Sequence, residues 1–220
     1  MSAARTALFL TLALSAGTAL AAQDVSKVNG SITADAGQTY GDLETVNGSI
    51  RVSENAVTDE VSTVNGSISV REKAVTGSLE TVNGSIKVDR SVTVNGNIDT
   101  VNGSIFVDRG GNVKDGIETV NGAIGLVATQ VGGGIETVRG DITVGVDSRV
   151  RGGIKVTKST GVFNIEPKRD PRVIIGPNAV VEGPLVFERT VKLYVHKTAR
   201  VGAVSGATAI SFDTPTAPAE

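Results

Sequence analysis

Glu44, Glu80, Asp99, Glu118 and Glu136 fall in one phase of the chain, with Ser62 filling the same phase between the first two. A row of carboxylates at fixed intervals could hold divalent cations or a cationic surface. Two carboxylates about 5–9.5 Å apart could also act as the acid and base of a glycosidase. Stacked like charges repel and resist ionisation, whereas an outward row is screened by water and salt at little cost. The acids here recur with a repeat instead of forming one exceptional pair. Aromatic residues, which would stack on sugar rings, make up only 3% of the chain. The row therefore reads as a solvated edge, and no residue is assigned a catalytic, metal-binding or cofactor-binding role.

Other reactive groups are few. The chain has no Cys, which excludes disulfides, thiol nucleophiles and Cys-ligated metals. Its single histidine, His196, excludes a multi-His centre. His196 shares one strand face with Lys192 and Tyr194, without the partners a nucleophilic triad needs. Asn29, Asn47, Asn65, Asn83 and Asn102 begin Asn-Gly-Ser glycosylation patterns, but their phase is explained by turn geometry. Arg139-Gly140-Asp141 resembles an adhesion tripeptide, yet it occupies the Asn-Gly-Ser phase as a drifted copy. Thr45, Thr63, Thr81, Thr100, Thr119 and Thr137 form a rank that could order surface water if outward. It lacks the doubling expected of an ice-binding face, and an inward or corner ladder explains it equally well. A formal charge of -2 argues against a nucleic-acid partner.

These groups are positioned by a repeat. Val-Asn-Gly begins at Val28, Val46, Val64, Val82, Val101 and Val120, and Val138-Arg139-Gly140 continues the series in steps of 18 or 19 residues. A fixed period implies stacked units that cannot bury their apolar faces alone. The unit Leu43-Glu44-Thr45-Val46-Asn47-Gly48-Ser49-Ile50-Arg51-Val52 is followed by a variable polar stretch, a minimal apolar contact at Val57 and the next start at Val61. Runs this short and β-branched favour strands, and repeated Asn-Gly would weaken helices. Asn-Gly is also a hairpin signal, so an antiparallel meander is the rival arrangement. Equal phasing of Asn, Gly, Ile and Thr instead favours an all-β single-stranded parallel β-helix, a β-solenoid of about 18 residues per coil and about nine or ten coils. The crossover preference makes it right-handed. Ile50, Ile68, Ile86, Ile105 and Ile124 should stack in its core, and the asparagine amides should bond along an asparagine ladder. Glycine beside each Asn is expected to supply positive φ.

The domain layout follows. Arg5, the apolar run Ala7–Ala16 and Ala19-Leu20-Ala21 read as a signal peptide over residues 1–21. The mature chain is then exported to the periplasm, outer surface or medium, with no integral membrane segment. Regular repeats cover about 28–153, and irregular coils about 154–212. The latter carry Val162–Ile165, Val173–Ile175 and Val191–His196, with Pro167, Pro171, Pro177 and Pro184 at corners or edges. Residues 213–220 read as a disordered tail. With 27 glycines against a usual share of about 7%, the composition suits a turn-dense scaffold.

The repeated Val-Asn-Gly-Ser-Ile, led by Gly-x-Ile/Leu-Glu-Thr-Val, resembles the bacterial β-strand-repeat adhesin family over residues 25–210. More distantly it is similar to bactofilin-like polymer-forming β-helices. The resemblance implies an exported, non-enzymatic structural or interaction protein. Its partner would be a cell-envelope or surface macromolecule, or further copies joined through the solenoid ends. The alternatives are a carbohydrate-active enzyme on a β-helix scaffold, or a cation- or ice-binding repeat surface.

Overall fold

Each repeat folds into one turn of a three-sided coil. The computed structural model describes residues 22–158 and 169–218. The described chain is all β-strand and turn, and its strands stack in parallel into three sheets. Sheet A has ten strands, from Gln23–Asn29 through Leu79–Asn83 to Val204–Ser205. Sheet B has ten, from Ile32–Ala34 through Ile86–Val88 to Ala209–Phe212. Sheet C has seven two-residue strands, from Val75–Thr76 to Arg200–Val201. Antiparallel pairing across Asn-Gly does not occur among these strands. Leu79 pairs with Val61 below and Ile98 above, and Asn83 with Asn65 and Asn102, one full coil away in each direction.

The alternation in each strand decides what faces inward. In Leu79-Glu80-Thr81-Val82-Asn83 the leucine and threonine are buried, while the other three side chains point out. Ile86 and Val88 enter from sheet B, and Val92 and Val94 close the third side. Ile50, Ile68, Ile86, Ile105 and Ile124 are at most 1% exposed and form the expected core column. The apolar contact expected at Val57 is displaced by one residue. Val57 is 40% exposed, and Ala56 and Thr58 face the core instead. A left-handed residue in the preceding turn, Asn55 here and Lys73 in the next coil, brings the small Ala56 and Ala74 inward.

Length changes fall at corners. The coil after Thr76 reaches Leu79 in three residues, whereas Val94 reaches Ile98 in four, so the out-of-phase Val94-Asn95-Gly96 marks a different corner from Val101-Asn102-Gly103. The core columns continue unbroken across this step. A larger step of 31 residues separates Ile142 from its neighbour Val173. It lies at the corner from sheet A to sheet B, the place occupied by Asn-Gly in earlier coils. Beyond it, Leu185 and Leu193 continue the same columns, so the irregular coils extend the stack. Pro171, Pro177 and Pro184 sit between strands and offer their carbonyls to Lys192, Asp147 and Ile154 respectively. The expected signal peptide 1–21, Val162–Ile165, Pro167 and the last two residues of the expected tail lie outside the described residues.

Candidate functional site

The outer face of sheet A carries two parallel ranks. In register, Ser26, Glu44, Ser62, Glu80, Asp99, Glu118 and Glu136 form one of them. Two residues along each strand, Val46, Val64, Val82, Val101 and Val120 form the other, each 38–41% exposed. Between them runs a groove of about 710 Å³, reaching from Ser26 to Val138 over seven coils. Lys155 stands next in the acidic column and closes it, with Nζ 3.6 Å from both Glu136 and Glu188.

Asp99 is the most perturbed carboxyl in the row. Burial, then the charges of Glu118 and Glu80, push it up to about 6. Its side chain is shorter than the neighbouring glutamates and stays nearer the sheet. Asn97 Nδ2 donates to Asp99 Oδ2, which works against the rise. Asn97 is itself held by a 2.6 Å hydrogen bond from Ser78. Asp99 Oδ1 is buried without a hydrogen-bond partner among the described residues. Glu60, near the same face, is raised by partial burial and then by Glu80, Asp42 and Glu44. No three carboxylates converge as a metal-ligand group among the described residues.

The asparagine corner beside the groove is built from two interlocking ladders. Asn47, Asn65, Asn83, Asn102 and Asn121 each donate from Nδ2 to the Oδ1 of the preceding asparagine at 2.9–3.0 Å, starting from Asn29. These amides are largely exposed. Buried threonines reach under them, with Thr81 Oγ1 donating to Gly66 O at 2.9 Å and its equivalents doing the same. The threonine rank is therefore inward, which removes it as an ice-binding surface. The positive φ expected of the glycine after asparagine is found at Gly30 (110°) and Gly122 (153°), but Gly48, Gly66, Gly84 and Gly103 follow asparagine for another reason. Gly84 has no positive φ, but a Cβ there would overlap the carbonyl of Gly66 in the coil below. Close backbone approach demands the glycine.

The remaining motifs are accounted for by local contacts. Asp141 of Arg139-Gly140-Asp141 is clasped by Arg169 at 3.0 and 2.6 Å and accepts from the Arg172 backbone N–H at 2.9 Å. Burial opposes its charge, but these bonds hold its pKa below the usual carboxylate value. His196 Nδ1 lies 2.9 Å from Thr198 Oγ1, and its ring meets Phe212 edge-on at 5.0 Å. Tyr194 is buried, with Arg172 stacked over its ring.

Sequence reasoning found the acidic row and missed the valine rank beside it. The signal was present, because Glu44 and Val46 are two apart and must share a face once Thr45 turns inward. Comparison with protein-family models, curated proteins and solved structures finds no match to this chain.

Proposed function

We propose that this is a non-enzymatic, exported interaction scaffold that contacts another component of the cell envelope through the grooved face of sheet A. The observation that carries this reading is the line of outward valines. A β-branched apolar side chain repeated at the surface of five successive coils makes one continuous strip, unlike the scattered exposed apolar residues of ordinary surfaces. The core beneath is rigidly laddered, so the strip is presented without reorganisation. The N-terminal reading of residues 1–21 supplies the export, and the resemblance to repeat adhesins agrees with it. No helix among the described residues is long and apolar enough to cross a membrane.

Self-assembly is a second reading, favoured by the terminal coils. Strand Gln23–Asn29 is exposed along most of its length, and Val204 and Ile210 are exposed on the last coil. Open parallel edges are templates for further strands. Light scattering and electron microscopy across concentration, with binding to an envelope fraction, separate the two. A monomeric rod retained by the envelope, and released by Val82→Ser with Val101→Ser, supports lateral contact. Filaments abolished by truncation after Gly206 support end-to-end assembly. Polysaccharide turnover lost on changing Glu80 and Asp99 would overturn both.

A further inference from the structure

We infer that the groove of sheet A binds linear aliphatic polyamines, with ammonium groups on the acidic row and methylene linkers along the valine rank. The inference rests on the grooved face being the contact surface and names the chemistry it recognises.

Shape, spacing and charge lead to this ligand class. Seven coils at about 4.8 Å span about 29 Å. Over that length the groove volume of about 710 Å³ leaves room for a methylene chain lying along the axis. Amines joined by three or four methylenes are about 5–6 Å apart when extended, from ordinary bond lengths near 1.5 Å. Glu80, Asp99, Glu118 and Glu136 occupy consecutive rungs, so their spacing along the axis is close to this.

Two further features argue against a simple ion atmosphere. The facing wall is apolar, with Val82, Val101 and Val120 each about two-fifths exposed, and a hydrated metal ion gains nothing from it. Asp99 also places a carboxylate oxygen that is buried and unpartnered among the described residues in the middle of the row. An ammonium group on this rung supplies a countercharge. The carboxylates are strung out instead of gathered about one point, which suits a linear polycation better than a single cation.

The test is titration of the purified chain with the tetraamine spermine, followed by calorimetry and ¹⁵N NMR. Binding should shift amides of the Glu80–Val82, Asp99–Val101 and Glu118–Val120 segments while leaving sheets B and C unmoved. Glu80→Gln with Glu118→Gln should weaken binding about tenfold or more, as loss of charge-assisted hydrogen bonds requires. Val82→Ser with Val101→Ser should weaken it about fivefold through lost methylene contact. Circular dichroism of each variant checks that the fold is retained. Absence of these shifts, full displacement by magnesium at equal charge, or tighter binding of a lysine-rich peptide in the groove would overturn the polyamine assignment. If spermine fails while envelope binding persists and still depends on Val82 and Val101, the ligand inference falls and the lateral-contact reading stands. If envelope binding also ignores those valines, the parent reading falls with it.

Discussion

Replacing Asp99 by Asn should stabilise the fold near neutral pH and flatten its stability between about pH 4 and 6. The native carboxyl is pushed from its ordinary 3.8 to about 6 by burial, then by Glu118 and Glu80. The folded chain therefore prefers the protonated group. That contribution is fully present below the unfolded value near 4, and is lost as pH rises through the folded value near 6. Two pKa units correspond to about 3 kcal/mol at most. Asp99 is only half-buried, so solvent screening reduces the expected gain of the variant at pH 7 to about 1–2 kcal/mol. Asn at this position keeps an oxygen to accept from Asn97 and adds a donor facing Glu80 or Glu118. Urea denaturation of both proteins from pH 3.5 to 8 at constant ionic strength reads the difference directly. A variant less stable than the parent at pH 7, or a difference that does not grow between pH 4 and 6, would refute the burial-and-repulsion account.

Five further substitutions test the corner and the core. Gly84→Ala should cost about 3 kcal/mol or more, because its Cβ overlaps the Gly66 carbonyl; Gly125→Ala, which meets only the Phe106 ring edge at 3.3 Å, should cost far less by the same denaturation assay. Ile86→Ala opens a cavity in a column with essentially no exposure and should cost about 2–5 kcal/mol. Asn83→Ala should cost about 0.5–1.5 kcal/mol, the range for an exposed ladder that water can partly replace, and Thr81→Val should match or exceed it because its hydroxyl bonds Gly66 O away from solvent. Hydrogen exchange on Gly66 and Gly84 amides would show whether the loss is confined to neighbouring coils.

What could be read from the sequence depended on whether a residue's phase or its surroundings decided its role. Ile86 and Asn83 recur at fixed phase, and stacking in parallel register follows from that recurrence alone. Thr81 was ambiguous, because a threonine column is compatible with either face until the burial of Leu79 fixes the alternation. Val82 lay hidden behind the general rule that β-branched residues are core, although its two-residue offset from Glu80 placed it outside. Gly84 was correctly required but for the wrong cause: the constraint comes from the carbonyl of another coil, which a local reading of backbone preference does not contain. Asp99 stood out only once Glu80 and Glu118 were in register on either side, since one missing methylene sets its carboxyl closer to the sheet than theirs.

The 31-residue step between Ile142 and Val173 has a mechanical consequence. If the two ends of the chain are pulled apart, coils peel away one at a time, because among the described residues the backbone ladders join each coil only to the coils directly above and below it. An ordinary 18-residue turn releases about 60 Å of contour when it detaches, and the enlarged turn about 105 Å. A force trace of this protein would therefore be a ladder of near-equal extensions interrupted by one long one. That irregular tooth marks where along the rod the unravelling has reached.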